Sequence, residues 1–533
     1  MTKWILSLFW LFSIGIEARI VLLHGNNKWN PQSGNPGIKL RITRKGAEHV
    51  KEVGVRLLSE QLAQLQGFRV QHAFQQPGLS GNIYVSDIRT LGYQPPQFSR
   101  IAFAEPSYIT FGIENMAISL AGRFLGVAGL LQVSGGVSGQ LLGMSVGLTT
   151  SFQATPDGTM QVTVVNCTTV IQQSNFVLSP EGPLSTIVKT FEVQINDLIR
   201  QRIPNLFCRG LTEIIDKNSP TLFQRLNRAQ LTEHFQKFNE TGVIERFIRR
   251  LTEGLYIDGH QISNPIVTSE YFETQQSGEL KYNQTIGRAP FFPRPIPQDN
   301  DAERMLYLYG SEYALNSLLY HAYQSDRLSI KIERDALPPQ YKGFVRTTCE
   351  ENMQSDGEFL SSICVGKLLP QLAEKFPNTT TKFVLLPHEL PETVFKEGFS
   401  SMDVRTRILT YVDDHGREKQ ILVSSADGLA EIKLNADDGK FSGDLKLRKL
   451  DVRLHRSGIG GIDPESIEQL APLAKTFLGP QLSKGLKQGL AISSQRLNNL
   501  HSTKVEDSRW ICSSRNRLST WRRQFAQQSS RGL

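Results

Sequence analysis

Alternating apolar and polar segments punctuated by glycine fill the chain from Asn82 to Val170, and they constrain the fold more than any other feature. Ile118-Ser119-Leu120, Leu130–Val133 and Met160–Val164 alternate as strands with one buried face do. No G-x-G-x-x-G or Walker pattern occurs, so the glycines indicate bulges and curvature rather than a phosphate-binding loop. The segment predicts a long, curved antiparallel sheet. Its glycines are Gly122, Gly126, Gly129, Gly135, Gly136, Gly139, Gly143 and Gly147.

Helical patterns flank this sheet. Before it, the apolar residues of Ile38–Ile42 alternate with charged ones and predict a half-buried strand that Gly46 ends, followed by a helix over Ala47–Gln66. After it, apolar residues recur at helical spacing beyond Pro183, and Pro204 is expected to kink or restart that long helix. The stripe of the first helix is Val50, Gly54, Leu57, Leu58, Leu62 and Leu65, and that of the second runs through Ile187, Val188, Phe191, Ile195, Leu198 and Ile199.

The same order of elements returns in the second half of the chain. A proline-rich stretch at 281–300 predicts a linker. A helix through Tyr313 and Ala322 follows, then a series of strands, of which Lys446–Leu454 alternates with one slip. Pro464 opens a second long helix. We interpret the two halves as one architecture used twice.

The N-terminus predicts secretion. Lys3 precedes the apolar run Trp4–Ile16, and Ala18 supplies a small residue for cleavage after it. An anchor helix is the alternative, but it needs about 20 apolar residues to span a bilayer. No other long apolar run exists, which excludes a polytopic membrane protein.

The cysteines and sequons agree with an oxidising compartment. Without C-x-x-C pairs or Cys/His clusters at zinc spacing, no structural metal is predicted. The expected disulfide pairs are Cys167–Cys208 and Cys349–Cys364, and Cys512 has no predicted partner. Four N-x-S/T sequons predict glycosylated, surface-exposed asparagines at Asn166, Asn239, Asn283 and Asn378.

The net charge of +8 is unevenly distributed. Residues 19–250 carry +8 (23 basic against 15 acidic), residues 251–494 carry −6 (27 against 33), and the last 39 carry +6. The arginine-rich end, with Trp510 and Trp521, suits an anionic surface, although a solvated disordered tail is the simpler interpretation. No motif supports nucleic-acid binding.

No catalytic residue is assigned. The chain holds no H-E-x-x-H or G-x-S-x-G motif and no signature of a thiol nucleophile. Its ten histidines are scattered, with His49 and His321 on predicted helices and His388 and His415 in predicted loops. Asp413-Asp414-His415 predicts a turn rather than a metal site. We therefore expect a binding protein without a cofactor.

Several segments resemble one known family. Asn35–Gly46 is similar to the opening of the bactericidal/permeability-increasing protein family, which includes lipopolysaccharide-binding protein and the phospholipid and cholesteryl ester transfer proteins. Arg304–Tyr313 resembles the start of its second barrel, and Leu368–Asn378 and Gly479–Leu490 resemble its later part. Cys167 and Cys208 are placed like the disulfide of the family. The resemblance covers roughly residues 35 to 490.

The resemblance implies an α+β fold, an elongated boomerang of two barrels in which each curved antiparallel sheet wraps a long helix. It implies an N-terminal barrel at 19–260, central-sheet strands and linker at 261–300 and a C-terminal barrel at 301–493, while the residues themselves predict the signal peptide at 1–18 and the basic, disordered tail at 494–533. Each barrel would hold an apolar lipid pocket. Helix stripes facing the sheets give the lining candidates Val50, Leu57, Leu58, Ile195, Leu198, Ile199, Leu318, Leu319, Leu470, Leu473, Ala474 and Phe477.

Two departures from the family bear on function. The stretches that match its basic tip, Gln64–Gln76 and Gly122–Gly136, hold Arg69 and Arg123 and no lysine. From Ser493 onward the chain is polar and arginine-rich, where the family returns a strand to the central sheet. We expect a monomer that takes up phospholipid or another amphipathic lipid, bacterial outer-membrane lipid included, with peripheral membrane contact and a defence role. Lipid transfer between particles and a non-lipid adhesion or scaffold role are the alternatives.

Overall fold

The structure is a computed structural model, and it has an α+β fold built on curled antiparallel sheets. It describes residues 18–22, 34–64, 66–76, 79–128, 131–181, 192–231, 242–298, 300–349, 364–396, 398–437, 440–488 and 490–491. The predicted signal segment before Ala18, Asn239, Cys512 and the basic tail lie outside these residues.

A seven-stranded antiparallel sheet forms the N-terminal half, as the sequence predicts. Its main path is β3-β4-β6-β7-β8, with β5 added on β6 and β9 on β7. Bulges shift the register where Gly92 and Gly143 lie, and Gly143 has a positive φ of 64°. The strands are β3 (Gln66–Gln76), β4 (Leu79–Gln94), β5 (Phe98–Ala104), β6 (Tyr108–Ala128), β7 (Leu131–Ala154), β8 (Met160–Val170) and β9 (Gln173–Pro180).

Two helices pack on this sheet, α1 (Arg44–Ala63) and α2 (Glu192–Leu226). The prediction that Gly46 ends the preceding strand is wrong, because the strand ends at Thr43 and Gly46 lies within α1. A Cβ at Gly46 would lie 2.2 Å from the carbonyl oxygen of Met305, so the glycine permits close packing instead of breaking the chain. The helix α2 runs through Pro204 without restarting.

A central five-stranded sheet joins the halves in the order β1-β15-β2-β13-β12. The burial of β2 is the reverse of what its alternation suggests. Ile38, Leu40 and Ile42 are partly buried, whereas Lys39 and Arg41, at 7% and 2% exposure, face a closed ionic cluster. Its strands are β1 (Ala18–Leu22), β2 (Ile38–Thr43), β12 (Ile266–Val267), β13 (Tyr271–Gln276) and β15 (Leu306–Gly310).

A small sheet lies beside the central sheet, in the order β10-β11-β14. It consists of β10 (Arg228–Gln230), β11 (Leu255–Asp258) and β14 (Leu280–Tyr282). The helices α3 (Val243–Thr252) and α4 (Glu312–Gln324) pack at this junction. Val243 of α3 also packs with Ile332 of the following sheet, so a helix from the first half covers the second.

The C-terminal half repeats the pattern with a sheet of order β16-β17-β19-β20-β21-β22 and β18 on β19. The slip in the alternation of Lys446–Leu454 is a bulge at Arg448, opposite Leu429 and Ala430. The strands are β16 (Ile330–Ile332), β17 (Thr381–Pro387), β18 (Glu392–Lys396), β19 (Phe399–Asp414), β20 (Arg417–Asp437), β21 (Lys440–Ser457) and β22 (Leu490–Ala491). The helices are α5 (Val365–Leu368), α6 (Pro370–Lys375), α7 (Pro464–Glu468) and α8 (Leu470–Gln488), with short 3-10 turns at Arg334–Ala336 and Pro339–Tyr341.

Disulfides join Cys167 to Cys208 and Cys349 to Cys364, the two pairs expected from the sequence. The first ties β8 to the middle of α2, and the second closes a loop of 15 residues before α5. The predicted turn at Asp413–His415 is the β19–β20 hairpin, in which the backbone N–H of Gly416 donates to Asp413 Oδ1 over 2.7 Å.

Candidate functional site

The apolar space between the first sheet and its two helices is the main candidate site. Its base is a buried cluster from β6, β7, β9 and the β8–β9 connection, comprising Ile113, Met116, Ile118, Leu141, Met144, Val146, Ile171 and Phe176. Above that base the helices contribute apolar side chains that pack against the cluster but stay only partly buried. These are Val55, Leu58 and Leu62 of α1 and Ile203, Phe207 and Leu211 of α2.

The strands that face these helices show the same partial burial. Phe111, Leu120 and Val137 line the inner face of β6 and β7 without being closed off from solvent. A solid core at native density would bury such side chains almost completely. The sheet and its helices therefore meet through apolar side chains that keep some accessible surface.

One polar pair lies within this interior. The hydroxyls of Tyr93 on β4 and Ser59 on α1 are 3.1 Å apart, and Thr90 donates to the Leu62 carbonyl over 2.7 Å. Burial raises the pKa of Tyr93, although its hydrogen bond with Ser59 opposes the shift. The pair stays neutral at physiological pH and fastens α1 to β4.

Asn196 of α2 closes the open edge of β9. Its Nδ2 donates to the Phe176 carbonyl over 2.9 Å, and its Oδ1 accepts from the Phe176 N–H over 2.7 Å, as a neighbouring strand would. Ser174 Oγ donates to the Asn196 carbonyl over 2.8 Å. Together with Cys167–Cys208, this contact fixes α2 at two points along the sheet.

Two glycines of β7 bring the β9 backbone close. A Cβ at Gly139 would lie 2.3 Å from the Asn175 carbonyl oxygen, and one at Gly135 would lie 2.3 Å from that of Ser179. Without side chains at these positions, Phe176 lies directly across β7. The two glycines therefore allow the β9 backbone and Phe176 to pack closely on β7.

The second candidate interior lies between the C-terminal sheet and α8, and one end of it is solid. There, residues of α5, α6 and α7 close over β19–β21 in a fully buried cluster that includes Leu372, Val412, Leu422 and Ile467. Phe383, Ile408, Leu450 and Leu454 are only partly buried against it. The second sheet therefore combines a packed end with a more open apolar face.

Polar contacts hold α8 on β21. Ser483 Oγ donates to Asp444 Oδ1 over 2.5 Å, and Lys487 lies 3.3 Å from the same carboxylate. The hydrogen bond from Ser483, with support from Lys487, holds the pKa of Asp444 below its usual value. Lys475 donates to the Arg448 carbonyl over 2.8 Å. The helix is thus fastened along its outer side.

The structure separates the lining residues predicted from the sequence. Val50 and Leu58 lie on α1 and are partly buried, and Leu58 faces the first interior. Leu318 and Leu319 pack at the junction against the cluster of Leu255, Leu280 and Tyr282, and their helix also contacts β18 of the second sheet through Asn316. Leu470 packs at its solid end. The side chains of Leu57, Ile195, Leu198, Ile199, Leu473, Ala474 and Phe477 lie outside the described residues.

The sequence pattern did not indicate Asn196 or the strand residues Val137 and Phe176 as parts of the candidate site. Helical spacing places Asn196 on the same face as Ile203, Phe207 and Leu211. A polar residue on an otherwise apolar helix face was the feature of the sequence that could have indicated its role. Val137 and Phe176 could not be found, since alternation alone does not say which face of a strand meets a helix.

A buried ionic cluster occupies the junction between the halves. Arg41 donates to Glu273 Oε2 through Nε at 2.8 Å and Nη2 at 2.7 Å, and Lys39 lies 3.6 Å from the same carboxylate. The guanidinium lies over the rings of Tyr271 and Tyr309. Burial alone would lower the pKa of Arg41, but the tyrosines and Glu273 outweigh it and raise the pKa.

Glu279 is the second centre of this cluster. It is fully buried and accepts from His321 Nε2 at 2.8 Å and from the Ala289 N–H at 2.7 Å, with Lys281 at 3.0 Å. Burial favours the neutral acid, but these three partners outweigh it and lower the pKa of Glu279. The carboxylate thus ties β14, α4 and the proline-rich linker together.

Of the sequon asparagines, Asn166, Asn283 and Asn378 are exposed. No helix within the described ranges is both long and apolar enough to cross a membrane. In the part of the chain that the structure describes, no group of three or more His, Cys, Asp or Glu side chains could hold a metal ion.

Comparison with known proteins gives a consistent picture. Residues 249–508 match the model of the LBP / BPI / CETP family, C-terminal domain. The chain is 21% identical to lipopolysaccharide-binding protein of Bos taurus over 82% of its length and 83% of that protein. It is 19% identical to bactericidal permeability-increasing protein of Sebastes schlegelii over 85% and 89%. The crystal structure of lipopolysaccharide binding protein aligns with a TM-score of 0.46 at 17% identity, covering 87% of this chain and 94% of that one.

Proposed function

We propose that this chain, whose residues 249–508 match the LBP / BPI / CETP family, C-terminal domain, is a secreted lipid-binding glycoprotein that takes up acyl chains in the apolar interiors of its two halves. Its ligand is a phospholipid or a bacterial lipid such as lipopolysaccharide, and its role is antibacterial defence. Two of the relatives carry lipopolysaccharide binding or bacterial killing in their names.

The observation that carries this proposal is the partial burial of apolar side chains on both walls of the first interior. Leu58 from α1, Phe207 from α2 and Val137 from β7 all pack on the cluster beneath them and still keep accessible surface. Each methylene that moves from water into such surroundings contributes about 0.8 kcal/mol. About ten methylenes would therefore contribute about 8 kcal/mol before the cost of ordering the chain.

The disulfides and sequons support secretion. Disulfides such as Cys167–Cys208 persist in oxidising compartments. Asn166, Asn283 and Asn378 are exposed, as acceptors of glycans must be. We also propose a first barrel within residues 19–260 and a second within 301–493, with residues 261–300 supplying strands of the central sheet and the linker.

Phospholipid is the preferred ligand, because the stretches that match the basic tip of the family hold no lysine. Arg123 is exposed on β6 and is the described cation there. Binding of the lipid A phosphates depends on clustered cations, so we expect phospholipid uptake with weak affinity for lipopolysaccharide. Nanomolar affinity for lipopolysaccharide that survives deletion of residues 494–533 would contradict this preference.

Uptake of a fluorescent phosphatidylcholine by the full secreted chain tests the proposal, with native mass spectrometry to detect co-purified lipid. Val137 and Val177 provide a matched pair of positions, because Val137 faces the interior and Val177, on the partner strand, is 54% exposed on the outer face. A buried charge opposes hydrocarbon binding. Val137→Glu should reduce uptake at least tenfold, and Val177→Glu should leave it unchanged.

The outcome separates the three candidate functions. Recovery of the wild-type protein without lipid, and without uptake, would leave only the adhesion or scaffold role. Uptake together with rapid exchange between vesicles and no killing of Gram-negative cells would favour lipid transfer over defence. Equal loss of uptake in Val137→Glu and Val177→Glu would place the bound lipid outside the first interior.

A further inference from the structure

The outer face of the C-terminal sheet carries a group of arginines, which we call the arginine face: Arg407 of β19 and Arg453 and Arg456 of β21. All three are exposed. Their strand neighbours Ile408 and Leu454 point to the opposite, inner side of the sheet and pack against the buried cluster there. Side chains alternate along a strand, so the three arginines face away from the interior.

The strand register brings these arginines together. Arg407 and Arg453 both pair with Ser425, from its two sides, so they lie two strands apart in one row across the sheet. Since adjacent strands are about 4.8 Å apart, their Cα atoms are separated by about 10 Å. Arg456 lies in the next row, opposite Val423, where a bulge follows Leu454.

The arginine face is not neutralised by the protein. Arg407, Arg453 and Arg456 form no ion pair with any residue that the structure describes. Other cations of the same sheet do have partners: Arg405 lies 2.8 Å from Glu389, and Arg448 lies 2.5 Å from Glu431. The face thus keeps local positive charge in a half of the chain that is acidic overall.

Carboxylates adjoin the arginine face on one side only. Asp427 and Asp451 occupy the next row along the strands, beside Arg405. Asp451 is engaged by Lys449 at 2.5 Å. On the other side, the row of Arg456 contains Val423 and Leu409. The arginines therefore adjoin an apolar strip rather than a ring of acids.

This apolar strip consists of Val384, Leu409 and Val423, which occupy one row across β17, β19 and β20. They are partly buried and lie on the same outer face as the arginines. Apolar side chains bordered by unpaired arginines suit the interface of a bilayer, where the former meet the acyl boundary and the latter the phosphates. A sulfated polysaccharide would use the charges but not the strip.

From this juxtaposition we propose that the arginine face and its apolar strip dock the protein on an anionic phospholipid membrane. The inference rests on the proposed lipid uptake, for which it supplies the surface that brings the protein to its lipid source. Docking is electrostatic, so it weakens as the salt concentration rises.

Co-flotation of the full chain with vesicles tests the proposal, using equal parts of phosphatidylcholine and phosphatidylserine, or phosphatidylcholine alone. Removing all three charges in Arg407→Gln/Arg453→Gln/Arg456→Gln should weaken binding to the anionic vesicles about a hundredfold, about fivefold for each arginine. Binding to phosphatidylcholine alone should be weak for the wild type and unchanged in the variant.

A control variant separates this surface from net charge. Arg56→Gln/Arg89→Gln/Arg209→Gln removes the same charge from three exposed positions on α1, β4 and α2. It should bind anionic vesicles within about twofold of the wild type, well inside the fivefold expected per docking arginine. Equal losses in both triple variants would overturn the proposal, because binding would then follow net charge.

Two further readouts complete the test. The arginine-face variant should take up monomeric short-chain phosphatidylcholine as the wild type does, because no membrane is needed there. If the wild type itself takes up none, the proposed function fails, while the vesicle comparison still decides the docking surface. Retention on heparin that depends on the three arginines, with vesicle binding unaffected, would overturn membrane docking in favour of a polysaccharide.

Discussion

Replacing Glu273 should destabilise the fold more than replacing any exposed acid, because its buried carboxylate pairs with two cations, Arg41 and Lys39, in the closed junction. Its side chain is 3% exposed, and it accepts from Arg41 at 2.7 and 2.8 Å while Lys39 lies 3.6 Å away. Removing one partner of a buried pair leaves an uncompensated charge and costs about 3–5 kcal/mol. Glu273→Gln should therefore lower the free energy of unfolding by about that amount.

The reverse substitution should cost less. Arg41→Met leaves the Glu273 carboxylate with Lys39 as a remaining counter-ion, so we expect a loss of about 1–3 kcal/mol. The double variant Arg41→Met/Glu273→Leu should recover part of the Glu273→Gln loss, since apolar groups can replace a buried ion pair.

Urea unfolding followed by circular dichroism measures these differences. The matched control is Glu389→Gln, which breaks a pair of the same length, 2.8 Å to Arg405, in which both side chains are more than half exposed. An exposed pair contributes about 0–1 kcal/mol. If Glu273→Gln costs no more than Glu389→Gln, the junction is solvated and the reasoning from burial is wrong.

Three other perturbations have defined outcomes. Because its partners lower the pKa of Glu279, the carboxylate stabilises the fold at neutral pH and loses that contribution as the pH falls through its folded pKa. Glu279→Gln should therefore make thermal unfolding less sensitive to acid. The same variant should be less stable than the wild type at pH 7, because it loses the charged hydrogen bond with His321. Cys167→Ala removes the disulfide that closes a 41-residue loop, so it should lower the free energy of unfolding by about 4 kcal/mol. Urea denaturation without reductant measures this loss. Gly139→Ala should displace β9, since its Cβ would lie 2.3 Å from the Asn175 carbonyl oxygen. We expect it to lower the free energy of unfolding more than Gly460→Ala, because Gly460 is exposed and has no atom near its Cβ position.

The periodic elements could be predicted because their signals are local. The strand over Lys446–Leu454, its slip, and the helix through Tyr313 and Ala322 each follow from the spacing of side chains along one segment. The hairpin turn at Asp413–His415 follows from turn chemistry alone. For such elements the neighbours in sequence are also the neighbours in space.

The position of a strand's buried face could not be predicted in the same way. Alternation in β2 separates Leu40 from Arg41 correctly, but burial of each face is decided by strands more than 200 residues away. Glu273 and Tyr309 reach Arg41 from those strands and compensate its charge. A rule that places apolar residues inside fails where distant partners satisfy the polar ones.

The lining of the candidate site was predictable only as far as the helix faces. Leu58 packs on the buried cluster of the first sheet, on the face that its helical stripe indicates, whereas Leu318 and Leu319 share that type of stripe and pack at the junction. Periodicity identifies a face but not the surface it meets, and α4 contacts both the small sheet and, through Asn316, strand β18 of the C-terminal sheet. The prediction for Gly46 was wrong for the same reason, since its packing is set by Met305, which directly precedes the distant strand β15.

The closed ionic cluster also explains how two similar halves can share one central sheet in a fixed register. A slip of one residue between β2 and β13 would turn Arg41 to the apolar face and leave Glu273 without its partner, at the cost of an unpaired buried charge. An apolar pairing of Leu40 and Leu308 would tolerate such a slip far better, because hydrocarbon contacts are not directional. The protein thus uses directional charge pairs at the junction, where register matters, and non-directional apolar packing between each sheet and its helices.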